Sequence, residues 1–511
     1  MTTGRSSKIM PAEAAIGFVT SGMTMAVGGA GGVQEPDAII EALARRFEAK
    51  GDPADLTLLF PMRTGASEGR GTSRLAMRGM VSRLIGGSIW PVGVPDFVRA
   101  IHDGAFEAYN LSIGLVYAML EAAAAGRPGV VTRAGLDTYL DPVMGGGALN
   151  ARSTGKLVDS VRIDGERLLY YRALPVDVAI IRGSVADEDG NIGVAGEPSV
   201  CGPLLLAQAA RANGGKVIAQ VSRIVPRHTL PPHDVRVPGH LVDALVVHES
   251  QEQVAGARFD ARLAEAGATT ALDVPPVPEG PRLAILRRCL LELAPGCTAV
   301  IGMGLPALLP RLAHHEGVLE RLNFSVEHGV VGGVNGISMG GSVFPISYAP
   351  SAIIDAADQL RGYAGGVPDL AFLGVGEIDP QGNINVSRFG DRIPGSGGFV
   401  DITSGIRRLV FTLEAGPKAS RKFVPELQHR TFSASEAQRR GQQVIYVTEE
   451  GVMRLVAAGL EITEYAPGSD PRQLASLTGA RVSELAQQMP SACFEGTSMN
   501  LSVLWSEGGA R

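Results

Sequence analysis

The chain has 511 residues, of which 45% are hydrophobic, 19% are charged and 66 are glycines, and its formal net charge is -6. This length is too great for a single core and predicts two or three α/β domains. The acidic balance argues against a nucleic-acid backbone as the main partner, because such a partner requires a basic surface.

Other features of the composition also exclude classes of protein. The four cysteines lack C-x-x-C spacing, so neither a disulfide framework nor a structural zinc site is expected. Nothing near Met1 has the charged, apolar and small-residue order of a signal peptide, and no run reaches the ~18 apolar residues of a membrane span. We therefore expect a cytoplasmic protein that has no membrane segment.

The first predicted elements are a helix over residues 11–19, a strand over 22–28 and a helix over 36–47. Gly28-Gly29-Ala30-Gly31-Gly32 lies between this strand and the second helix, where backbone N–H groups and the helix dipole favour an anion. A close-packed strand-to-helix turn is the alternative explanation. The segment does not match the dinucleotide-binding pattern G-x-G-x-x-G, because Gln34 occupies the position of the third glycine.

Internal repetition predicts two similar halves. Residues 177–194 and 369–386 both read as a short, wholly apolar strand followed by an Asp/Gly/Asn turn, the pattern of a parallel strand that is buried on both faces. Residues 22–28 and 296–302 repeat in outline at a wider spacing, which implies an insertion in the first half between these landmarks.

The proline-rich segment 274–281 predicts an extended connector between the halves. It divides the chain into an N-terminal domain (1–255), a linker (256–282) and a C-terminal domain (283–511). Around and after the connector, the spacing predicts a short helix over 259–266, a helix over 282–293 and a helical stretch over 471–489.

One carboxylate stands between an apolar run and a string of glycines in residues 324–336. Glu327 lies at the end of a predicted buried strand, where an ionised group is costly unless partners or chemistry hold it there. The nearby glycines remove side-chain bulk, so that a large substrate could bring a reactive carbonyl to the carboxylate. Glu327 is therefore the candidate nucleophile.

This segment resembles the glutamate motif of the family I coenzyme A transferases, in particular the single-chain acetate, propionate and 3-oxoacid CoA-transferases. Matching segments follow in the family's order at residues 27–32, 125–132, 382–390 and 395–402. The resemblance implies an α/β fold of two similar CoA-transferase domains, each with a largely parallel sheet flanked by helices. It also implies ping-pong transfer of coenzyme A between an acyl-CoA and a carboxylic acid through a glutamyl-CoA thioester.

The resemblance further implies roles for residues around Glu327. The N–H of Met303 would help to form an oxyanion hole, and Gly397 and Gly398 would present amides to the thioester oxygen or to bound coenzyme A. Asn385, whose repeat partner is Gly193, would hold the pantetheine amides, although a local Asx turn explains it equally well. The other candidates for contact with coenzyme A are Gly302, Gly304, Arg388 and Gly395.

Further candidates concern the phosphates of coenzyme A and the second substrate. Arg388, Arg407, Arg408, Lys418 and Lys422 could meet the phosphates or could simply be solvated. The candidate substrate-binding residues are Gly29, Ala30, Gly31, Ser112 and Gly114. Family members often have Pro-Gln-Gly where this chain has Ser112-Ile113-Gly114. They also commonly have Gly-Gly-His-Trp where this chain reads Gly-Gly-Ser-Ile-Trp-Pro over residues 86–91. Both departures make the acyl pocket less polar and favour an acyl group larger or more apolar than acetate.

The chemistry implied by the resemblance requires no metal, nicotinamide or pyridoxal. We expect no permanently bound cofactor, coenzyme A as a substrate, and a homo-oligomer. Attack of the glutamate on an acyl-CoA would give a mixed anhydride before the thioester. Because water would hydrolyse both of these intermediates, we expect a narrow pocket between the halves.

Three other functions fit parts of the sequence. Residues 336–340 match G-x-S-x-G, so Ser338 could be a serine-hydrolase nucleophile, with His429 as the one histidine downstream. If the pocket admits water to the intermediate, the protein would be an acyl-CoA thioester hydrolase on the same fold. Glycine loops that bind without reacting would give an acyl-CoA sensor.

Overall fold

The structure, a computed structural model, describes residues 8–65, 69–89, 95–265, 272–335, 346–416, 420–501, 503 and 505. Ser338 with its motif and Lys418 lie outside these residues. No helix within the described ranges combines the length and the apolar character needed to cross a bilayer.

The described first half alternates strands and helices. Its strands are β1 (Thr24–Val27), β2 (Leu56–Phe60), β3 (Val81–Gly86), β4 (Glu107–Asn110), β5 (Gly129–Thr132), β6 (Val158–Ile163), β7 (Glu166–Arg172), β8 (Val178–Arg182), β9 (Val185–Asp187), β10 (Ile192–Gly193), β11 (Lys216–Val221), β12 (Arg223–Val225), β13 (Val235–Val237) and β14 (Ala244–Val247). Its α-helices are α1 (Ala12–Ala15), α2 (Asp37–Lys50), α3 (Pro95–His102), α4 (Ile113–Ala124) and α5 (Pro203–Ala212). Short 3-10 helices occupy Ile16–Phe18, Gly71–Leu75, Pro142–Met144, Pro232–Asp234, Gly239–Leu241 and Ala261–Leu263.

The described second half follows the same plan. Its strands are β15 (Thr298–Ile301), β16 (Asn323–Val326), β17 (Val330–Val331), β18 (Ala352–Ile353), β19 (Leu370–Gly374), β20 (Glu377–Ile378), β21 (Ile384–Asn385), β22 (Arg408–Thr412), β23 (Gln443–Val447), β24 (Gly451–Val456), β25 (Gly459–Tyr465) and β26 (Arg481–Gln488). Its α-helices are α6 (Pro281–Leu290), α7 (Leu309–His315), α8 (Ala356–Ala364), α9 (Phe399–Gly405), α10 (Ala434–Arg439) and α11 (Pro471–Thr478). The 3-10 helices are Leu305–Leu308, Leu319–Arg321, Ser420–Lys422 and Ser491–Cys493.

Each half is built on one large sheet. In the first, the strand order is β14-β11-β8-β1-β2-β3-β4 and every neighbouring pair is parallel. In the second, the order is β18-β17-β16-β15-β19-β22-β23-β24-β25-β26. Pairing is parallel from β16 to β23 and antiparallel from β18 to β16 and from β23 to β25, and the edge strand β26 is again parallel to β25. Helices flank both sheets, which confirms two similar α/β domains.

The predicted repeat marks equivalent places in the two sheets. Strands β8 and β19 are both central, and every residue of β8 is buried. The turns that follow are stabilised in the same way: Asp187 accepts hydrogen bonds from the amide and the side chain of Asn191, and Asp379 does so from Asn383. The insertion predicted in the first half contains the separate sheet β5-β7-β6.

Two helix predictions are wrong. The stretch 471–489 is helical only as α11, because Gly479 adopts a left-handed conformation (φ 71°) that ends the helix, and β26 then pairs in parallel with β25. Within 259–265, the part of the predicted helix 259–266 that the structure describes, the helical residues are those of the 3-10 helix Ala261–Leu263. In residues 481–488, hydrogen bonding to the free edge of β25 outweighs the helical spacing of the local sequence.

The two halves share an apolar core, and this positions the site. Tyr117 and Leu120 of α4 belong to the same buried cluster as Leu360 of α8 and Ile402 of α9. Helix α4 of the first half therefore meets the start of α9 in the second half.

Candidate active site

Glu327 occupies the turn immediately after β16, which pairs with β15 in the middle of the second sheet. The turn depends on Gly329, whose φ of 96° and close approach to the Ile354 carbonyl, 2.2 Å from where a Cβ would lie, exclude a side chain. Glu327 as a residue is partly exposed, whereas neighbouring His328 is buried. The predicted nucleophile thus stands at the carboxyl edge of the parallel strands, where α/β folds place their ligand sites.

A backbone amide of a distant loop holds the Glu327 carboxylate. The Gly398 N–H donates to Glu327 Oε2 at 2.8 Å. A Cβ on Gly398 would lie 2.3 Å from the same oxygen, so only glycine permits this approach. Burial raises the pKa of Glu327 to about 7, the Gly398 hydrogen bond opposes this rise, and the charge of Asp401 adds to it. A carboxyl group with such a pKa is available as a nucleophile at neutral pH.

Gly397 lies beside Glu327 but does not offer its amide to the site. Its N–H donates to the carbonyl of Gly87 in the first half at 3.1 Å. A Cβ on Gly397 would come within 3.5 Å of Glu327 Oε1, so the absence of a side chain leaves space in front of that oxygen. In this structure the Gly398 amide is directed at Glu327, whereas the Gly397 amide is directed at the first half.

The turn after β15 faces the same space. Gly302, Met303 and Gly304 all line the cavity that contains Glu327. The hydrogen bonds of the described residues include none donated by the Met303 N–H, whereas the Gly302 N–H is taken by the Phe372 carbonyl at 2.8 Å. Met303 thus has an amide that donates to no described residue, on the wall of the cavity that contains Glu327.

The cavity has a volume of about 570 Å³ and is largely apolar. Its walls include Leu308, Leu373, Val375, Phe389 and Phe399. Among the described residues, Ser88 is the sole first-half residue that lines it. The expected pocket between the halves is therefore a cavity of the second half that the first half touches at one point.

Charged side chains line another part of the cavity. Arg282 pairs with Glu414 at 2.7 Å, and Lys422 lies on the same cavity surface. Burial lowers the pKa of Lys422, and the nearby carboxylate of Glu414 partly offsets this. Arg392 also reaches the cavity. Several cations therefore border a mainly apolar space, an arrangement suited to a ligand with an apolar arm and an anionic end.

Asn385 and Arg388 are placed away from the cavity lining. Asn385 is 1% exposed, and its side chain donates to Glu377 and to the Arg388 carbonyl while accepting from the Ser387 N–H at 3.1 Å. This is the Asx-type turn considered as the alternative. Arg388 donates to the Leu149 carbonyl at 3.2 Å and so links the two halves. Arg408 is paired with Glu292 at 3.0 Å.

The space around the first glycine loop, residues 28–32, is occupied by other residues of the chain. A Cβ on Gly29 would lie 2.6 Å from the Gln34 carbonyl, and Ala30 is buried and paired with Val33. The loop amide of Gly32 donates to the carboxylate of Glu35 at 2.7 Å. Gly29, Ala30 and Gly31 are absent from the described lining of the cavity. The anion that this loop attracts is thus the side chain of Glu35, and the close-packed turn is what the structure shows.

Ser112 and Gly114 contact the second half without reaching the cavity. The Gly114 N–H donates to Asp401 Oδ2 at 2.8 Å, and a Cβ on Gly114 would lie 2.6 Å from the Asp401 carboxyl carbon. Ser112 is fully buried. Burial raises the pKa of Asp401 to about 7, and the Ser112 hydroxyl and the amides at the start of α4 oppose this rise. The Gly114 amide thus bonds to the carboxyl group of Asp401, and no described contact joins Ser112 or Gly114 to the cavity.

Sequence reasoning missed several residues that the structure brings to the site. Asp401 ends the glycine-rich motif that identified Gly397 and Gly398, so its position four residues from Gly397 was the available signal. Arg282 and Glu414 line the cavity from separate parts of the chain, and no local pattern marks them, whereas Ser88 lies in the segment that the sequence analysis compared with the family.

The imidazole ring of His429 packs against another side chain and is hydrogen-bonded. Its ring stacks at 4.6 Å from that of Tyr139, and its Nε2 lies 2.9 Å from Ser387 Oγ. Burial lowers the pKa of His429 to about 4, with the charge of Arg388 acting in the same direction. These contacts give the serine-hydrolase alternative no support.

Comparisons with known proteins agree with this geometry. The coenzyme A transferase family profile matches residues 8–248. The caffeate CoA-transferase of Acetobacterium woodii is 32% identical over 489 residues, which cover 91% of this chain and 92% of that protein. The chain belongs to the coenzyme A transferase family. It is therefore similar to enzymes that transfer coenzyme A between an acyl-CoA and an acid.

Other members extend the comparison. Acetate CoA-transferase YdiF of Escherichia coli K12 is 33% identical over 486 residues, with 90% of each chain covered. The crystal structure of YdiF from Escherichia coli O157:H7 as a thioester complex with CoA has a TM-score of 0.88, 31% identity and coverage of 97% of both chains. The likeness thus includes both sheets and the cavity-bearing half.

Proposed function

We propose that this CoA-transferase moves coenzyme A between an acyl-CoA and a carboxylic acid through a covalent thioester on Glu327. The observation that carries the proposal is the Gly398 N–H donating at 2.8 Å to a carboxylate that opens into an apolar cavity with a cationic border. A transferase must keep the acyl and CoA groups from water, and a carboxylate nucleophile preserves the energy of the thioester during the exchange.

The first half-reaction needs two attacks. One carboxylate oxygen of Glu327 attacks the acyl-CoA carbonyl, the C–S bond breaks, and CoA leaves as the thiolate, which gives a mixed anhydride. The thiolate then attacks the glutamyl carbonyl and expels the acyl carboxylate, leaving glutamyl-CoA. The acceptor carboxylate reverses these steps, so charge and atoms balance without an added oxidant, reductant or proton.

Each attack passes through a tetrahedral oxyanion. The Met303 amide is our candidate donor, because Met303 lines the cavity and no described residue accepts from its N–H. Gly398 would hold the glutamyl oxygen itself. One well-placed donor of this kind typically contributes about 3 to 4 kcal/mol to transition-state stabilisation.

Coenzyme A would lie with its pantetheine arm along the apolar wall formed by Leu308, Val375 and neighbouring residues. Its phosphates would meet Arg282 and Lys422. The Arg282 side chain, although paired with Glu414, is 66% exposed, so it can still contact an anion. The thioester complex of YdiF with CoA supports a covalent route in a homologue of the same fold.

We assign residues 1–255 and 283–511 to the two CoA-transferase domains, with 256–282 as the linker. This division places every strand of each large sheet in one domain. The acyl group is expected to be larger or more apolar than acetate, because the cavity walls near Glu327 include Phe389, Phe399 and Ile402.

Trapping the intermediate tests the proposal. The enzyme is incubated without acceptor with acetyl-CoA, octanoyl-CoA or benzoyl-CoA, quenched with hydroxylamine or borohydride, and digested with trypsin. Cleavage after Arg321 and Arg361 gives one peptide, residues 322–361, that contains both Glu327 and Ser338. Fragmentation therefore has to locate the modification within it.

The expected result is a modified Glu327 in the wild type and in Glu320→Gln, an exposed glutamate close in sequence, and none in Glu327→Gln. Modification of Ser338 would contradict the proposal and favour a serine hydrolase. Release of free thiol that continues without an acceptor would identify a thioester hydrolase instead. Full turnover by Glu327→Gln would remove the covalent mechanism altogether.

A further inference from the structure

The loop that holds the nucleophile is anchored mainly by the other half of the molecule. Residues 394–397 belong to the second half by sequence, yet the Ile89 N–H donates to the Pro394 carbonyl at 2.9 Å and the Ile113 N–H donates to the Gly397 carbonyl at 3.0 Å. The Gly397 N–H donates in turn to Gly87 at 3.1 Å. The position of the next amide, that of Gly398, is therefore set by first-half groups.

One side chain lies at the centre of this attachment. Asn110, at the end of β4, is 1% exposed, and its Oδ1 accepts from the Ser396 N–H at 3.0 Å. Its Nδ2 lies within hydrogen-bond distance of three carbonyls, those of Gly86 at 3.0 Å, Gly87 at 3.2 Å and Leu111 at 3.0 Å. The amide thus joins the loop to three points of the first half at once.

Two hydroxyl groups complete the network. The Tyr139 hydroxyl lies 2.9 Å from both Asn110 Oδ1 and Ser396 Oγ and donates to one of them at a time. The Ser396 hydroxyl lies 3.1 Å from the Leu111 carbonyl. Tyr139 is 4% exposed and Ser396 5%, so water competes little for these bonds and their geometry is well defined.

We propose that Asn110 is a positioning residue for the CoA-transfer reaction: it orients Ser396 so that the Gly398 amide meets the Glu327 carboxylate. Asn110 does not line the cavity in the described part of the chain, so it acts through the loop rather than on the substrate. A network that joins Asn110, Ser396 and Tyr139 across the two halves transmits a small displacement directly to the reacting oxygen.

This role predicts a specific kinetic signature. Loss of the Asn110 amide lets the loop shift relative to Glu327, and a displacement of about 1 Å at a reacting group lowers rates by about 100-fold. The cavity walls and the cations at its border are unchanged, so the affinity for free coenzyme A stays within about twofold. A residue that served stability alone would lower the folded fraction and leave the rate of each folded molecule unchanged.

The test compares Asn110→Ala, Tyr139→Phe and a matched control in the full-length enzyme. Asn150→Ala is the control, because Asn150 also donates to two backbone carbonyls of the first half, Ile101 at 2.9 Å and Phe106 at 3.0 Å, but has no contact with the loop. Two quantities are measured for folded protein: the single-turnover rate of Glu327 modification, with the acyl-CoA that gives the highest wild-type rate, and the dissociation constant of free coenzyme A by calorimetry.

We expect Asn110→Ala to lose about 100-fold in rate, Tyr139→Phe about 3- to 10-fold, and Asn150→Ala less than twofold, with coenzyme A affinity unchanged in all three. A wild-type rate in folded Asn110→Ala, or a parallel loss of coenzyme A affinity, would overturn the inference. If Asn110→Ala does not fold, a wild-type rate in Tyr139→Phe overturns it. The inference rests on the proposed function, whose own failure looks different, since the wild type would then show no modified Glu327.

Discussion

Replacing Glu327, the proposed nucleophile, should stabilise the protein at alkaline pH. In the folded state the pKa of Glu327 is raised from 4.5 to about 7, chiefly by burial. A folded-state pKa above the unfolded value means that the folded protein binds the proton more tightly. The resulting advantage is complete below pH 4.5 and is lost as the pH rises through about 7. At pH 8 the wild type therefore carries an ionised carboxylate in a site that favours the neutral form.

The size of the effect follows from the shift. Each unit of pKa corresponds to about 1.4 kcal/mol, so Glu327→Gln should gain at most about 3 kcal/mol in free energy of unfolding at pH 8, and at least about 1 after allowance for cavity water. For a chain of 511 residues that unfolds as a unit, 3 kcal/mol corresponds to about 3 °C in thermal midpoint. At pH 4.5 the gain should fall to a few tenths of a kcal/mol.

Differential scanning calorimetry of wild type, Glu327→Gln and Glu320→Gln at pH 4.5 and pH 8 measures this difference. Glu320 is exposed and loses the same charge, so it controls for the change in net charge. A gain for Glu327→Gln that is equal at both pH values, or that matches the gain of Glu320→Gln, would refute the reasoning. The site would then not disfavour the ionised form.

Three further outcomes are expected. The value of kcat/KM should fall as the pH drops through about 7, because the ionised Glu327 is the attacking species; a flat profile between pH 5 and 8 would contradict this. Gly398→Ala should lose at least about 100-fold in kcat, because its Cβ would lie 2.3 Å from Glu327 Oε2, whereas Gly362→Ala, whose Cβ meets nothing closer than 3.8 Å, should keep wild-type activity. Lys422→Gln should raise the KM for acyl-CoA about 3- to 10-fold with little change in kcat, and an unchanged KM in steady-state assays would remove Lys422 from phosphate binding.

Local patterns predicted much of the architecture. The paired apolar runs at 177–194 and 369–386 predicted β8 and β19, because a strand that is buried on both faces is apolar at nearly every position. The Asp and Asn residues after them predicted turns that the structure confirms, because a short polar side chain bonds to nearby amides whatever the rest of the fold does. Local pattern failed in the tail, where residues 481–488 join the edge of a sheet whose partner strand lies elsewhere in the chain.

The candidate site likewise contains some features that the sequence predicted and others that it could not predict. Glu327 could be found in the sequence, since an acidic residue between a buried strand and several glycines is uncommon without a chemical reason. The glycine loop at 28–32 could not be assigned, because the carboxylate that occupies its amides, that of Glu35, is equally ordinary in a helix-start sequence. Only the tertiary structure shows that the side chain of Glu35 accepts the hydrogen bond of this loop.

The sequence by itself determined the duplicated α/β plan and singled out the carboxylate that we propose as the nucleophile, since both are recorded in neighbouring residues. Tertiary structure alone decided which amide meets that carboxylate, which loop is filled and which half anchors the reactive loop. Asn110 and Ser396 are far apart in the chain, and a hydrogen bond between them depends on how two sheets pack. No local periodicity encodes such a contact, because the hydrophobic pattern of each strand would be the same with or without it.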